Sequence, residues 1–487
     1  LQQCTARAYL WLVRSFFNRH AGPRMSSVKL FCTFTRTLRP LEPQSPGVVS
    51  MYSCGPTVYD YAHVGNMRTY LCVDFLRRVL EFVGHKVNHV MNITDVGHLV
   101  TDGDDGEDKM EKGSRRTGKS AWEIAAYYTD AFLADLDALG ILRPVHMPRA
   151  TEYIEEQIET VRAIEQKGLA YVTSDGVYFD TSKQADYGHL ARLNVEGLQG
   201  GTRVELGEKR SKTDFALWKL SPPGSQREME WDSPWGKGFP GWHVECTAMS
   251  VKLLGNYFDI HWGGEDHIPV HHTNEIAQCE AAHGTRESNF WLHTKFLNFG
   301  TEKMSKSGKG FIRIDDVKSQ GFSPLAYRYL CLGAHYRASI EFSWENLKAA
   351  DTTLQRLYGQ IAALPDGGLA SARYLVDFVE AVTNDVGTPQ ALSLLWKLLK
   401  DASVEDADKK ATAVAFDNVL GLSLLEPEKG RVRLDIPEDI ALLAAERQRA
   451  RQEKRFADSD TLKKKIIEAG YEVLDSHGGY EVRKKNG

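Results

Sequence analysis

The sequence predicts an open parallel α/β sheet built from two separated strand–helix halves, followed by an all-α segment. Three observations carry this. Residues 47–92 run from an apolar strand through a small-residue turn into a periodic helix and a second strand. Residues 257–278 repeat the move, with a strand, Gly263-Gly264 and a helix. Beyond residue 310 amphipathic helices take over. A chain of 487 residues should hold roughly two to four domains. With 42% hydrophobic and 26% charged residues it reads as an ordinary globular protein. A net charge of −5 confines any nucleic-acid surface to a local patch. Seven scattered cysteines argue against a disulfide framework and for a reducing compartment. No run of eighteen apolar residues occurs, so no membrane helix is expected.

Residues 1–27 are set aside as a leader. The first forty-one residues hold seven Arg or Lys and no acid. Two readings compete: an organellar transit peptide, or sequence upstream of the mature protein. Sparse serine and the bulky Trp11, Phe16 and Phe17 favour the second. Residues 28–38, VKLFCTFTRTL, alternate as one strand.

Residues 47–52 read as a buried strand ending in Cys54-Gly55-Pro56. His63-Val64-Gly65-Asn66 then opens a helix whose apolar positions are Tyr70, Leu71, Val73, Phe75, Leu76, Val79 and Leu80. A strand, a small-residue turn and a helix start make a phosphate-binding layout, because the first helical N–H groups have no internal partner. Gly65 admits a ligand to the backbone, and His63 and Asn66 can donate to phosphate oxygens. Taken alone, HVGN is a common loop and Cys54 a small buried hydrophobe. Residues 86–92 form the next strand, which places Thr94 beside Cys54 at one sheet edge. Residues 102–112, DGDDGEDKMEK, miss the EF-hand offsets and read as solvated surface.

Helices are expected over 121–139 and 151–166, the second capped by Thr151, with a hairpin over 171–181. Much of 100–240 is an insertion between the halves of the sheet. Residues 238–249, GFPGWHVECTAM, place Cys246 near a helix start, where its thiol should deprotonate easily. In residues 258–278, FDIHWGGEDHIPVHHTNEIAQ, His271 and Glu275 stand four apart on one helix face, which is metal-ligand spacing. A zinc site of Cys54, Cys246, His271 and Glu275 follows if Cys54 arrives from the other half. Without it, the histidines are a polar surface and Cys246 is core. Residues 302–310, EKMSKSGKG, form a loop with three lysines.

These stretches together resemble class I aminoacyl-tRNA synthetases. Residues 52–68 are similar to their HIGH region, and Lys303-Met304-Ser305-Lys306-Ser307 matches their KMSKS loop letter for letter. CGPTVYD, FPGWHVEC and HHTNE resemble the cysteinyl members in particular, and the likeness covers about 28–487. Three departures stand out: Asn66 replaces the second signature histidine, Thr273 replaces a frequent acid, and Val96-Gly97-His98 replaces an acid-rich run.

The resemblance implies a Rossmann-like catalytic domain over 28–300 with its insertion at about 100–240. A KMSKS loop and connecting stem-contact region over 301–345 would follow, then a helical bundle over 346–433. An anticodon-binding region would occupy 434–487. It implies ATP-dependent activation of L-cysteine, with Mg2+, followed by transfer to tRNA-Cys. The enzyme would be a monomer in the cytoplasm, or in the mitochondrial matrix if the leader is a transit peptide. The catalytic residues would be His63, Asn66, Lys303 and Lys306. ATP would meet His63, Gly65, Gly264, Asp266 and Lys306. Cysteine would meet Cys54, Gly55, Thr94, Trp242 and His261, although Trp242 also reads as core. One zinc per chain would lie on Cys54, Cys246, His271 and Glu275, and would select thiolate over hydroxyl.

In the last third, helices are expected over 324–334, 344–364, 374–386 and 389–401. Residues 440–469 carry Arg447, Arg449, Arg451, Lys454, Arg455, Lys463, Lys464 and Lys465, either a phosphate-binding stripe or a solvated face. Residues 480–483 look like a short strand. Two rivals remain: a same-fold ligase joining cysteine to an amino-sugar amine, and a non-catalytic zinc-containing RNA-binding paralog. The basic helical third argues against the first, and intact His63, Lys303 and Lys306 against the second.

Overall fold

The computed structural model describes residues 27–97, 118–193, 208–222, 224, 227–299, 311–430, 437–476 and 479–484. The leader up to residue 26, His98 with the acidic loop 102–112, and the loop carrying Lys303 and Lys306 lie outside the described residues. Strands β1 (Lys29–Cys32) and β2 (Thr37–Pro40) pair antiparallel, where a single strand was expected over 28–38. Arg36 breaks the run. Its N–H closes the turn on the Cys32 carbonyl at 2.7 Å with φ at 57°, outside the strand region.

Strand β3 (Val48–Ser53) buries Val49, Met51 and Tyr52 completely. Helix α1 (Val64–Phe82) starts at His63 and packs Leu71, Phe75, Leu76, Val79 and Leu80 into the core. Strand β4 (Lys86–Met91) returns parallel to β3 over its whole length, Val48 facing Lys86 and Ser53 facing Met91. Helix α2 (Ala121–Ala138) is capped by reciprocal bonds between Ser120 and Glu123. Ile124, Phe132 and Leu136 put it in the main core, although it falls in the span expected to be inserted.

Helix α3 (Ile154–Gln166) begins beyond Thr151, which is not its cap. Thr151 instead gives its N–H and hydroxyl to the Asp95 carboxylate at 3.0 and 2.8 Å. Strands β5 (Ala170–Val172), β6 (Gly176–Phe179), β7 (Phe215–Leu220) and β8 (Gly238–Pro240) form an antiparallel sheet in sequential order. It lies, in sequence, between the two halves of the parallel sheet.

The second half comprises helix α4 (Val244–Leu254), strand β9 (Tyr257–Gly264), helix α5 (His271–His283) and strand β10 (Glu287–Thr294). The sheet order is β10-β9-β3-β4, with every pair parallel. The first strands of the two halves are therefore neighbours, with Met51 opposite Ile260, Tyr52 opposite His261 and Ser53 opposite Trp262. Open α/β sheets bind ligands at such a reversal, beyond the carboxyl ends of the strands.

Strand β11 (Leu297–Phe299) pairs parallel with β12 (Ile340–Phe342), so the later region is not purely helical. Around this pair come α6 (Ile314–Ser319), α7 (Pro324–Leu332), α8 (Trp344–Ala362), α9 (Ala372–Thr383), α10 (Thr388–Lys400) and α11 (Asp406–Leu420). The periodicity does not single out α11. Its buried face includes Ala411, Ala413 and Ala415, which contrast weakly with their surroundings. Helices α12 (Glu438–Gln452) and α13 (Phe456–Glu468) and the hairpin β13 (Tyr471–Ser476) and β14 (Gly479–Lys484) share a small core of Ile440, Ala444, Ile466, Val473 and Val482. The basic run over 440–469 is thus two helices. Arg447 is 1% exposed and drops out of any surface stripe, while Lys463, Lys464 and Lys465 stay exposed.

A buried ion pair ties α1 to the helices. Asp74 accepts from Arg328 on α7 at 2.6 Å and from Arg78 at 2.7 Å, and both Asp74 and Arg328 side chains are fully buried. Arg328 also donates to the carbonyls of Leu420 and Leu139. Asp74→Ala leaves the Arg328 charge buried and unpaired. It should cost about 3–5 kcal/mol in denaturant unfolding, and a loss within experimental error would contradict this reading.

His89 on β4 is buried, with Nε2 2.8 Å from the Ser53 hydroxyl. Burial, helped by Arg77 and opposed by Asp74, draws its pKa from 6.5 down to about 3. The unfolded chain therefore binds one more proton between those values. The associated stability is complete above pH 6.5 and is lost as pH falls toward 3. His89→Gln should flatten the acid side of the pH–melting-temperature profile, whatever its effect at neutral pH. An unchanged slope would count against the assignment.

Candidate active site and metal centre

Cys54 follows β3, and its N–H donates to the Trp262 carbonyl on β9 at 3.1 Å. That bond carries the thiol to the edge where α4 and α5 begin. Cys246 is the third residue of α4, His271 the first of α5, and Glu275 lies one turn further on. One donor atom from each of these four residues lies within 4.8 Å of every other. A second overlapping group, Cys54, His261, His272 and Glu275, meets the same limit. All are buried except His271, whose side chain is 17% exposed.

Glu275 sits between two imidazoles, Oε1 2.9 Å from His271 Nε2 and Oε2 2.8 Å from His261 Nε2. These contacts are short but misaligned, so all four atoms lack a hydrogen bond although buried. Converging, buried, unsatisfied ligand atoms are what a cation would satisfy. His271 is held from behind by His243, Nδ1 to Nδ1 at 2.7 Å. His272 spans Cys54 Sγ at 3.3 Å and His293 at 2.7 Å, and His293 continues to Thr33 at 2.8 Å. His261 stacks on Trp291 at 4.5 Å.

Burial raises the Cys54 pKa, but the Cys246 hydrogen bond and the charges of His271, His272 and His267 outweigh it and hold the thiol well below its usual value. Cys246 goes the other way. Burial first, then the hydrogen bond with Cys54 and the Glu275 charge, push it well above normal. This corrects the expectation that its place at a helix start would ease its deprotonation. Burial disfavours ionised Glu275, yet His261 and His271 draw its carboxyl below the usual range. Burial works against protonated His261 too, but Glu275 lifts it to about 9.

The phosphate-type helix start forms as the spacing predicts. His63 is the N-cap of α1. Its Nδ1 accepts the Asn66 N–H at 3.3 Å, and the Asn66 side-chain oxygen accepts the His63 N–H at 3.1 Å. Asn66 therefore fixes the turn with its carbonyl oxygen, leaving its amide nitrogen as the donor. Nδ1 of His63 accepts, so in the neutral ring Nε2 carries the proton and is the donor. Phe311 stacks on His63 at 4.6 Å, and the Val64 N–H donates to the Ile312 carbonyl at 2.9 Å. The chain directly after the lysine loop thus returns to the first turn of α1.

Asp266 is exposed and within electrostatic reach of His63 and Tyr70. A Cβ on Gly264 would meet its carboxylate at 2.2 Å. A Cβ on Gly55 would strike the Asn92 carbonyl at 1.7 Å, while the Gly55 N–H donates to the Asn92 side chain at 2.7 Å. Asn92 also donates to the buried Thr94 hydroxyl at 2.9 Å. Trp242 is half-buried, and its ring lies 6.3 Å from His243. Thr273 bonds the Ile268 carbonyl and is no donor to the cluster. The sequence reading misses His243, His267, His272 and His293. The density of histidines in 261–272 is a signal for His267 and His272, whereas His243 and His293 lie outside that window and have no local signal.

The family model described as tRNA synthetases class I (C) catalytic domain matches residues 40–352. Cysteine--tRNA ligase 1 of Burkholderia lata is 54% identical, over 93% of this chain and 96% of that protein. The chain belongs to the cysteine--tRNA ligase family. The Treponema denticola ligase is 42% identical over 94% of this chain and 100% of its own length. In fold, the family member resembles Mycobacterium tuberculosis methionyl-tRNA synthetase in complex with methionyl-adenylate. That TM-score is 0.52 at 15% identity, covering 79% of this chain and 91% of the other. Among the described residues no helix is long and apolar enough to cross a membrane.

Proposed function

We propose that the protein activates L-cysteine with ATP, in the presence of Mg2+, and transfers it to the 3′-end of tRNA-Cys. It would act as a cytoplasmic monomer, where its buried cysteines stay reduced. The observation that carries this reading is the meeting of two thiols, a histidine and a glutamate one sheet edge away from a capped helix start. The catalytic unit is read as 28–300, the loop and stem-contact region as 301–345, the bundle as 346–433 and the anticodon-binding region as 434–487.

Cys54, Cys246, His271 and Glu275 are the preferred ligands for one zinc ion. Their misaligned buried atoms and two sulfurs suit that metal. In the alternative group His272 is engaged by His293, and His261 stands behind Glu275 as its support. Bound zinc would prefer thiolate to hydroxyl, which separates cysteine from serine without an editing step.

The remaining chemistry is alignment and charge. The substrate carboxylate attacks the α-phosphate and pyrophosphate leaves, with no protein nucleophile required. His63 Nε2 and the Gly65 N–H hold phosphate oxygens, the Val64 and Asn66 N–H groups being taken by the Ile312 carbonyl and His63 Nδ1. Asn66 keeps that turn closed. Gly264 leaves room for adenosine, and Asp266 accepts from the ribose. Gly55, Thr94 and Trp242 bound the cysteine pocket. Lys306, aided by Lys303, neutralises the departing pyrophosphate. The contacts of Phe311 and Ile312 with His63 and Val64 support bringing that loop to the phosphates.

Cysteine-dependent ATP–pyrophosphate exchange tests the reading directly. Cys246→Ser should lose zinc and exchange together, and exchange that persisted without zinc would exclude the metal's role. Lys306→Ala should slow adenylate formation about a hundredfold or more while tRNA binding changes little. Equal losses in both would count against the assignment.

A further inference from the structure

Away from the metal cluster, a cavity of about 500 Å³ opens between the β1–β2 turn and residues 185–193. Its lining includes Phe34, Arg36, Asp186, Tyr187, His189 and Arg192. Among the described residues neither Arg36 nor Arg192 forms an ion pair with a carboxylate, although Asp186 lies on the same wall. Burial and the nearby Arg192 charge together draw the Arg36 pKa down, so the two guanidinium groups repel. Both residues hold left-handed backbones, φ 57° and 53°. Arg36 donates to the Leu190 carbonyl at 2.8 Å, which clamps the two walls together.

Aromatic and cationic groups stack along the same wall. Phe34 and His189 lie 4.6 Å apart, and the Arg286 guanidinium covers Phe34 at 4.0 Å. Guanidinium groups with no carboxylate partner recognise phosphate oxygens. The wall is wired to the candidate active site. Thr33, next to Phe34, bonds His293, which bonds His272, which reaches Cys54. On the other wall the Tyr187 hydroxyl donates to Asn274 at 2.7 Å, on the helix that carries His271 and Glu275.

We propose that Arg36 and Arg192 bind a backbone phosphate of the RNA substrate and so register its acceptor end against the cysteine site. The inference rests on the aminoacylation reading above. It assigns positioning to these residues and leaves adenylate formation to the other edge of the cleft. A free phosphate shares this chemistry, and the test separates the two sources.

Arg192→Ala and Arg192→Glu are compared with the wild type, since no side-chain hydrogen bond joins Arg192 to another described residue and its backbone bond to the His189 carbonyl is kept in either variant. Cysteine-dependent ATP–pyrophosphate exchange should stay at the wild-type level and reports intact folding. KM for tRNA should rise about threefold or more in Arg192→Ala, and further in Arg192→Glu. The salt dependence of kcat/KM should become shallower by about 0.7–0.9 in log–log slope. Arg192→Lys should recover part of the loss. Unchanged KM and slope with exchange intact would overturn this inference alone. Absent exchange in the wild type would overturn the parent reading instead. If inorganic phosphate binds the wild type and not Arg192→Ala while KM for tRNA is unmoved, the site takes free anions and the RNA assignment is wrong.

Discussion

The contact on which the rest depends is the parallel seam between β3 and β9. Three residue pairs define it, and the Cys54 N–H extends it by one bond to the Trp262 carbonyl. Side chains alternate along a strand, so a slip of one residue would turn Cys54 to the opposite face. Both strands end at the same edge only because they are parallel. The long span of chain between them is what permits the crossover. A short connection would have made the pair antiparallel and put the thiol and the α5 ligands at opposite ends of the sheet.

That seam also explains the electrostatics. Cys54 and Cys246 share one buried environment yet shift in opposite directions, because burial and the neighbouring carboxylates dominate at Cys246 while the Cys246 hydrogen bond and three histidine charges act on Cys54. The start of a helix favours a nearby anion by roughly 0.3–1 kcal/mol at exposed sites. Complete burial beside a thiolate and a carboxylate is the larger effect, so the helix position of Cys246 does not decide its ionisation. The histidines return the balance: against the effect of burial, His261 and His271 draw the Glu275 carboxyl down, and Glu275 in turn raises the pKa of both imidazoles.

Much of this was readable beforehand, for local reasons. The two sheet halves follow from strand and helix periods, and the His271–Glu275 pair follows from one helical turn. His63 and Asn66 reveal themselves as a capped start because capping acts over three residues. What escaped was long-range. Thr151 has the character of a helix cap, but Asp95, distant in sequence, takes its bonds. Arg447 belongs by composition to a basic surface, but the turn at Lys454, with φ at 59°, splits the run and packs it inward. The histidine shell is assembled from β9, α5, β10 and the residue before α4, and no single window contains it. The β1–β2 hairpin was missed because VKLFCTFTRTL alternates through its own turn.

One helix links these layers. The first turn of α1 presents His63 to the candidate phosphate site, and Arg68, one turn later, is fully buried. Arg68 donates to the carbonyls of Lys295 and Phe296 at 2.6 Å, and also to that of Ala338. The segment entering the lysine loop is therefore fastened to α1 through Arg68, and the segment leaving it through Phe311 and Ile312. Further along, Asp74 fastens the same helix to α7, and Arg328 continues the link to the end of α11. Arg68, Asp74 and Arg328 are charged groups buried away from water, where a lost partner costs far more than at the surface. Both flanks of the lysine loop are thereby registered against the histidine at the head of α1, and the helical third of the chain holds that register through the Asp74–Arg328 ion pair and through the Tyr327 hydroxyl, which donates to the Val64 carbonyl at 2.6 Å.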